Sequence, residues 1–348
     1  MTTLAARLAM PRSTLARSLL IVFAGGLALL ALSELFGPYT DLQLATGAYY
    51  FIVLAGLTVL IGVNGQISLG HGALMAVGAY TVALLIGNEG WALVPALIAA
   101  TACTAVIGVV VGAAATRLRG PYLAGMTLAL AVGLPGLADK FPSTFGGSNG
   151  LAINPPTPPS ALGSSFPLER WEAWIACAGA LVVMFVLYNL VHSGTGRALR
   201  AVRDDEIAAS LCGLHVARTQ TLTFVVSAAC AGLGGGMLAV VLQLAQPGAF
   251  PLQLSLSLLT AVVLGGLGSM VGAIWGAALL VLLPGWSSDL AHSFSLSQNV
   301  SANLQLAIYG VILIAAMLMW PSGIQGGVHA LTRWLALQRF KSKVGGEE

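Results

Sequence analysis

The sequence predicts an all-α polytopic transmembrane bundle of about ten helices, and three observations support this fold class. Hydrophobic residues make up 57% of the chain and charged residues only 8%, whereas soluble domains have about 45–50% and about 25%. The apolar stretches approach the roughly 20 residues that a spanning helix needs. The chain also contains 43 glycines, and small residues let membrane helices approach one another closely.

Ten apolar segments, some of them short or discontinuous, are predicted as helices near residues 18–36, 43–63, 67–87, 91–115, 121–138, 170–192, 219–244, 254–265, 270–284 and 302–320. The basic residues before the first segment also fit a signal peptide, but the next apolar segment follows almost at once, so a retained helix is preferred. Gly265, Gly266 and Gly268 separate the short eighth and ninth segments. These two segments therefore form either two spans or a re-entrant pair.

Basic residues predict the orientation, because Lys and Arg accumulate in the cytoplasmic loops of membrane proteins. With this helix count, thirteen of the fifteen basic residues fall on one side, and only Lys140 and Arg170 fall on the other. Both termini are therefore expected in the cytosol. The predicted parts are cytoplasmic ends at 1–17 and 321–348, a membrane domain at 18–320, an external loop at 139–169 and a cytoplasmic loop at 193–218.

The cytoplasmic loop contains the most strongly charged stretch of the chain. Asp204 or Asp205 is placed to cap a short helix, since acidic side chains favour helix N-termini. Ile207, Ala208 and Leu211 then share one face, and Gly213 is suited to end the helix. The apolar face either docks on a cytosolic ATPase or lies on the protein's own bundle.

A second polar stretch, rich in glycine, lies at the start of the third predicted helix. Non-helical backbone at membrane depth is tolerated only where it is buried in protein or lines a water-filled cavity. The stretch is therefore a candidate wall of a solute pathway. Within it, His71 either lines that route or is a buried histidine satisfied by a neighbouring carbonyl. Residues 266–273 share a short, weak pattern with it.

Several classes of protein are disfavoured by what the sequence lacks. There is no G-x-x-x-x-G-K-[ST] motif to hold nucleotide phosphates and no H-E-x-x-H motif to bind zinc. The scattered basic residues leave no nucleic-acid footprint, and the four cysteines lack metal-ligand spacing. Proton or sodium coupling has no obvious carrier, because the acidic residues of the membrane domain fall at helix ends or in outer loops, namely Glu34, Asp41, Glu89, Asp139, Glu169, Glu172 and Asp289.

Five ordered motifs together point to a known family. They are residues 65–72, 119–128, 145–151, 196–206 and 264–269. With these motifs, the chain from about Tyr49 to Gly327 resembles the LivM-type permeases of bacterial branched-chain amino-acid ABC importers. Residues 128–135 lack the acidic residue often found there, so related cargo such as urea or amides stays open. A stand-alone channel or an ion-coupled carrier for a small polar solute is the alternative from another class.

The resemblance implies a multi-pass protein of the bacterial inner membrane that is a transport subunit and not an enzyme. It implies a second homologous permease, two cytosolic ATPase subunits that bind ATP and Mg, and a periplasmic or lipid-anchored binding protein, with no cofactor on this chain. The implied ATPase-coupling residues are Gly196, Arg197, Arg200, Arg203, Asp204, Asp205, Glu206, Ile207, Ala208, Leu211 and Gly213. The candidate translocation-pathway residues are Gly65, Gln66, Ser68, Gly70, His71, Gly72, Thr127, Gly265, Gly266, Gly268 and Ser269.

Overall fold

The computed structural model describes residues 14–35, 37–118, 121–154, 157–159, 166–293, 307, 310–311 and 323–327. Within them the chain is an all-α bundle, and the nine predicted helices that precede residue 294 are confirmed. The tenth predicted helix lies almost wholly outside the described residues. So do most of the two predicted terminal segments.

The described helices differ in length from one turn to the 27 residues of α10. In chain order they are α1 (Thr14–Leu35), α2 (Pro38–Leu57), α3 (His71–Gly87), α4 (Leu93–Ala115), α5 (Pro121–Lys140), α6 (Pro142–Phe145), α7 (Leu168–His192), α8 (Gly194–Asp204), α9 (Glu206–Leu211), α10 (Val216–Leu242), α11 (Leu252–Gly265) and α12 (Met270–Ser293). A π-helix, Thr58–Val63, continues α2. Short 3₁₀ turns occur at Gly147–Asn149 and Pro247–Ala249.

Six helical stretches of the described residues are long and apolar enough to cross a membrane. They are Pro38–Val63, Leu93–Ala115, Tyr122–Lys140, Leu168–His192, Val216–Leu242 and Pro247–Gly265. Helix α11 alone has 14 residues, which at 1.5 Å per residue is about 21 Å and shorter than the roughly 30 Å hydrocarbon core. It reaches spanning length only together with the 3₁₀ turn before it.

Two sequence predictions need correction. The third helix was expected from residue 67, but α3 begins at His71, and residues 64–70 form no helix. The connection 193–218 was expected to hold one short helix, but it holds two, because α8 precedes α9. Helix α8 was missed although Leu199 and Val202, three residues apart, supply a buried stripe.

Helix α10 is the centre of the bundle and packs against α2, α3 and α4. Glycines in the middle of α10 permit this packing, since a Cβ at Gly232 would overlap the side chain of Thr104, and one at Gly78 of α3 would overlap the backbone of Gly232. Helix α7 packs on α2, with α1 outside it, and α12 packs on α2 and α11. Close backbone approach of this kind is how membrane helices gain dispersion contacts.

The two ends of the bundle differ in structure. At one end α8 and α9 pack on α7, α10 and the π-helix, and this is named the α8–α9 end. At the opposite end a two-stranded antiparallel sheet pairs β1 (Leu151–Ala152) with β2 (Leu244–Ala245). The sheet fastens the 139–169 connection to the end of α10.

Candidate functional site

The polar segment, residues 64–70, leads into a buried start of α3. His71, the first residue of α3, is 1% exposed. Its Nε2 lies 2.7 Å from Oγ of Ser227, and its Nδ1 lies 3.1 Å from Oγ of Ser68. A neutral imidazole has one donor and one acceptor nitrogen, and a hydroxyl can take either role. His71 is thus enclosed and satisfied by two serines, whereas the sequence suggested a carbonyl as the alternative to a pathway role.

The depth of this contact follows from the position of Ser227, the twelfth of the 27 residues of α10. The polar segment therefore runs from the end of the π-helix to a start of α3 that lies beside the middle of the central helix. Such a break within a bundle requires side chains that bond the freed backbone groups. Ser227 was not among the predicted site residues, although a serine within an apolar helix signals a polar partner.

Two neighbouring helices hold the polar segment and the start of α3. The backbone N–H of Leu69 donates to Oγ1 of Thr127 on α5 over 2.9 Å. The N–H of Gly72 donates to Oγ of Ser255 on α11 over 3.0 Å. Both hydroxyl side chains are buried, at 1% and 2% exposure. Thr127 was predicted as part of this site, and Ser255 was not.

Glycine at position 70 is required by the approach of α5. A Cβ built there would lie 2.8 Å from the carbonyl oxygen of Thr127 and 3.2 Å from its Cβ. Contacts under 3.0 Å to backbone atoms are not relieved by a side-chain rotation, so α5 or the polar segment would have to move. Gly70 thus fixes the distance between α3 and α5.

The second predicted site consists of α8 and α9, named together the charged helices. Ser193 caps α8, with its Oγ accepting from the N–H of Gly196 over 3.4 Å. Asp205 caps α9 and accepts from the N–H groups of Ile207 and Ala208 at 2.8 and 3.0 Å. Of the two capping candidates the structure therefore selects Asp205. Asp204 ends α8 instead, and it pairs with Arg203 at 2.8 Å.

Helix α9 presents an apolar face to its surroundings. Ile207 is 73% exposed and Leu211 is 83% exposed, while Ala209 on the other side is buried against the bundle. Gly213 follows with a φ of +84°, a left-handed conformation that ends helices and favours glycine. The structure thus confirms that Ile207 and Leu211 share a face of α9 and that α9 ends before Gly213. One of the two alternatives was that this face lies on the protein's own bundle. Ile207 and Leu211 do not lie on the described part of the bundle, because both side chains are largely exposed.

The remaining charged residues of these helices divide into anchored and exposed groups. Arg200 donates to the carbonyl of Val191 over 3.2 Å, which fixes α8 to the end of α7. Glu206 accepts a hydrogen bond from Nε2 of Gln220 on α10 over 2.7 Å. Arg197 lies exposed on α8. The charged helices are therefore attached to the bundle at several points.

Arg203 connects the charged helices to the polar segment. Its Nη1 donates to the carbonyl oxygen of Gly62, in the π-helix, over 2.8 Å. Its aliphatic stem packs on Gly65, where a Cβ would lie 2.8 Å from Cγ of Arg203. The sequence predicted Arg203 and Gly65 in two separate sites, and the structure brings them together.

The third predicted group, Gly265 to Ser269, is the turn between α11 and α12. Gly266 and Gly268 have φ values of +118° and +80°, which strongly favour glycine. Ser269 caps α12 and accepts from the N–H of Gly272 over 3.2 Å. A Cβ on Gly62 would overlap the backbone of Gly268. This turn therefore packs on the same part of the π-helix that Arg203 contacts.

The described residues contain no group of three or more His, Cys, Asp or Glu side chains that could hold a metal ion. Buried carboxylates do occur, since Asp41 and Glu172 are 1% and 3% exposed. Asp41 lies in the first turn of α2 and Glu172 is the fifth residue of α7, so both are near helix ends as predicted. Asp41 pairs with Arg170 at 3.6 Å, and Arg170 also contacts Glu34 at 3.4 Å.

These features define a class: a multi-pass α-helical membrane protein with a non-helical polar segment held between its helices, and such backbone inside a membrane bundle is tolerated where it is buried in protein or lines a water-filled cavity. Residues 39–317 match the model of a family described as branched-chain amino acid transport system, permease component, and the chain belongs to this family. No solved structure shows a significant match to this chain.

Two types of branched-chain amino-acid permease are among its relatives. The chain is 31% identical to the high-affinity branched-chain amino acid transport system permease protein LivM of Escherichia coli (strain K12) over 306 residues, which cover 81% of this chain and 69% of the relative. It is 27% identical to LivH of the same organism over 300 residues, covering 80% and 92%. The ribose import permease protein RbsC of Escherichia coli (strain K12) is 29% identical over 280 residues, covering 77% and 81%.

Proposed function

We propose that this chain is one permease subunit of an ATP-driven importer in the bacterial inner membrane, and that it forms part of the pathway for branched-chain amino acids. The match of residues 39–317 to a family of permease components carries the proposal. The relatives named for branched-chain amino acids support the cargo, whereas the ribose permease among them keeps related small polar solutes open.

The α8–α9 end faces the cytosol in this proposal. The basic residues of the charged helices, Arg197, Arg200 and Arg203, lie at this end, and the positive-inside bias places such residues in the cytosol. The connection 139–169 and the small sheet then lie outside the cell. With the predicted number of helices, both termini then also lie in the cytosol.

The exposed face of α9 is the proposed contact with an ATPase subunit. Ile207 and Leu211 are large apolar side chains in water unless a partner covers them, and the amphipathic helix matches a helix-in-groove mode of binding. Since α9 follows α8 without an intervening loop, a displacement of α9 also displaces Arg203. The chain itself performs no covalent chemistry.

The displacement reaches the membrane part of the protein through Gly62. Arg203 donates to the Gly62 carbonyl, and the polar segment runs from there to His71. Thr127 on α5 and Ser255 on α11 bond the backbone of the polar segment and of the start of α3. A π-helix is a rare conformation that often marks functional sites. Movement of the charged helices would thus change the position of the polar segment between α5 and α11.

The proposed assembly contains a second, homologous permease, two cytosolic ATPase subunits that bind ATP and Mg, and a periplasmic or lipid-anchored binding protein. Similarity of this chain to both LivM and LivH supports a pair of related permeases. The membrane lipid surrounds the exposed apolar faces of α1, α4 and α5.

One observation favours the alternative of an ion-coupled carrier. Buried carboxylates in membrane proteins often serve ion or proton coupling, and Asp41 and Glu172 are buried. Asp41 is however paired with Arg170, and Glu172 accepts from Gln243 at 3.5 Å. Both residues also lie one turn from a helix end, so a structural role explains them.

Reconstitution distinguishes the two functions. Vesicles containing this chain, the second permease and the two ATPases, with the binding protein and labelled leucine outside, are expected to accumulate leucine only when ATP is inside. Vesicles containing this chain alone are expected to show no leucine uptake. Uptake by the chain alone, with or without an ion gradient, would overturn the proposal in favour of a channel or a carrier.

A further inference from the structure

A cavity of about 380 Å³ lies at the α8–α9 end, between the polar segment and the charged helices. Its volume is within the roughly 300–1,000 Å³ of small-molecule sites. The polar residues that line it come from four elements and include Asn64, Gln66, Arg203, Glu206 and Gln220. The cavity thus touches both groups of residues that the sequence singled out.

Two of these side chains are buried with hydrogen-bonding atoms unused. Asn64 is 3% exposed, and neither its Oδ1 nor its Nδ2 has a partner in the described part of the chain. Gln66 is 7% exposed, and its Oε1 likewise has none among the described residues. A buried polar group without a partner is destabilising, because nothing replaces the hydrogen bonds that it made to water. Side chains of this kind, lining a cavity, indicate a polar ligand.

The backbone around these side chains is fixed. The N–H of Asn64 donates to the carbonyl of Val59, and the N–H of Gln66 donates to that of Leu60, both over 3.1 Å. The two amide side chains are therefore presented by the end of the π-helix and not by a free loop. A preorganised site binds more tightly because less conformational freedom is lost on binding.

We infer that this cavity binds a small zwitterionic α-amino acid from the cytosol. The unused atoms are an amide N–H₂ donor, which suits a carboxylate, and two amide oxygens, which suit an ammonium group. Among the described residues, the lining of the cavity has one cationic side chain, Arg203, and one anionic side chain, Glu206. A ligand that carries both charges matches this lining, whereas a ligand of one sign would meet a like charge.

Binding here would link the charged helices to the polar segment. Arg203 and Glu206 belong to the former and Asn64 and Gln66 to the latter, so a ligand that contacts both would restrain the displacement of α8 and α9. The consequence is inhibition by the accumulated product: cytosolic amino acid slows the transporter. This part of the inference rests on the proposed function, whereas the binding itself does not.

Direct binding tests the site in the full chain without any partner. The chain is placed in lipid nanodiscs, and binding of labelled L-leucine is measured together with competition by isoamylamine and 4-methylpentanoate, which carry only the ammonium or only the carboxylate. Leucine is expected to bind saturably, and each single-charge analogue at least about tenfold more weakly. Absence of saturable leucine binding would overturn the inference.

The diagnostic variant is Asn64→Leu, which removes the unused amide at nearly constant volume. It is expected to weaken leucine binding at least about tenfold without lowering the unfolding temperature, because the lost group has no partner to leave behind. Thr58→Val is the matched control, since the Thr58 hydroxyl is also buried and without a partner in the described residues but does not line the cavity. Equal leucine binding by Asn64→Leu and the wild type would overturn the inference.

A second measurement uses the reconstituted transporter with its ATPases facing the outside of the vesicles and the binding protein enclosed. External leucine is expected to lower ATP hydrolysis several-fold in the wild type and in Thr58→Val, but not in Asn64→Leu. Leucine uptake is assayed separately. Missing uptake with intact, Asn64-dependent binding would contradict the proposed function alone, whereas normal uptake without that binding would contradict this inference alone.

Discussion

Arg203 on α8 donates a hydrogen bond of 2.8 Å to the carbonyl oxygen of Gly62, and these two residues connect the charged helices to the membrane part of the bundle. The carbonyl belongs to a π-helix, whose backbone bonding is less regular than that of an α-helix. On its other side Gly62 packs against the backbone of Gly268. A displacement of α8 therefore acts directly on the point where α2 and the α11–α12 turn meet.

Arg203→Ala is expected to uncouple ATP hydrolysis from uptake. A hydrogen bond to a charged group contributes about 1.5–3 kcal/mol, so leucine uptake should fall roughly tenfold or more while the ATPases still co-purify. Arg203→Lys should give an intermediate result, since lysine keeps the stem on Gly65 but lacks the guanidinium fork. Arg218→Ala, which removes an exposed cation from the start of α10, is the control and should behave as wild type. Normal uptake by Arg203→Ala would contradict this coupling route.

Gly70→Leu is expected to abolish uptake while leaving membrane insertion intact. The side chain would collide with the carbonyl of Thr127 and separate α3 from α5. Gly125→Leu is the control and should keep the packing of the chain, because a Cβ at Gly125 meets no atom of the chain within 4 Å. Insertion is measured by membrane fractionation and uptake by labelled leucine. Wild-type uptake by Gly70→Leu would show that the spacing between α3 and α5 is not required.

The sequence was sufficient for features that depend on local patterns. Long apolar runs predicted nine helices, because burial in a membrane requires a nearly continuous apolar stretch. Their boundaries differ from the structure by at most about five residues, except that α12 was predicted to end at residue 284 and continues to Ser293. The Gly213 stop of α9 was also predicted, and its cap was narrowed to Asp204 or Asp205, since both features act within one helical turn. That Ile207 and Leu211 share one face followed from helical spacing alone, whereas the exposure of that face did not.

The contacts between distant residues could not be predicted from the sequence. His71 and Ser227 are 156 positions apart, and Arg203 and Gly62 are 141 apart. Which helix faces which depends on close glycine approaches in α10, and a single sequence contains 43 glycines without indicating which of them touch. The start of α3 was misplaced because Ile67 and Leu69 extend the apolar pattern of the helix, whereas in the structure the N–H of Leu69 donates to Thr127 of another helix.

Ser227→Ala and His71→Leu are expected to destabilise the chain non-additively. Each single change leaves a buried polar partner unsatisfied, at about 1–3 kcal/mol, whereas the double change removes both members of the 2.7 Å contact. The free energy of unfolding in mixed micelles is measured for the wild type, the two single variants and the double variant, and the deviation from additivity gives the interaction energy of His71 and Ser227. Thr81→Val on α3, whose hydroxyl bonds only within its own helix, is the control. Strict additivity would contradict a His71–Ser227 bond in the folded chain.

Cysteine labelling checks the orientation. The native Cys212, which is exposed beside α9, is expected to react with a membrane-impermeant maleimide only after the cells are opened. In a Cys212→Ser background, Thr157→Cys in the 139–169 connection should react in intact cells. Both expectations follow from the distribution of basic residues. Labelling of Cys212 in intact cells would reverse the topology.

The double change Ile207→Asp with Leu211→Asp is expected to prevent binding of the ATPases. Burial of each apolar side chain in a partner groove should contribute about 1.5–3 kcal/mol, and burying two unpaired charges instead is costly enough to exclude docking. The chain itself should fold normally, since these side chains are 73% and 83% exposed. Thr195→Asp with Ala201→Asp adds the same charge at exposed positions of α8 and should retain the ATPases. Co-purification is measured first and stimulation of ATP hydrolysis by the loaded binding protein second. If the Ile207 and Leu211 double variant kept both, α9 would be only a solvated connection and the ATPases would engage the chain elsewhere.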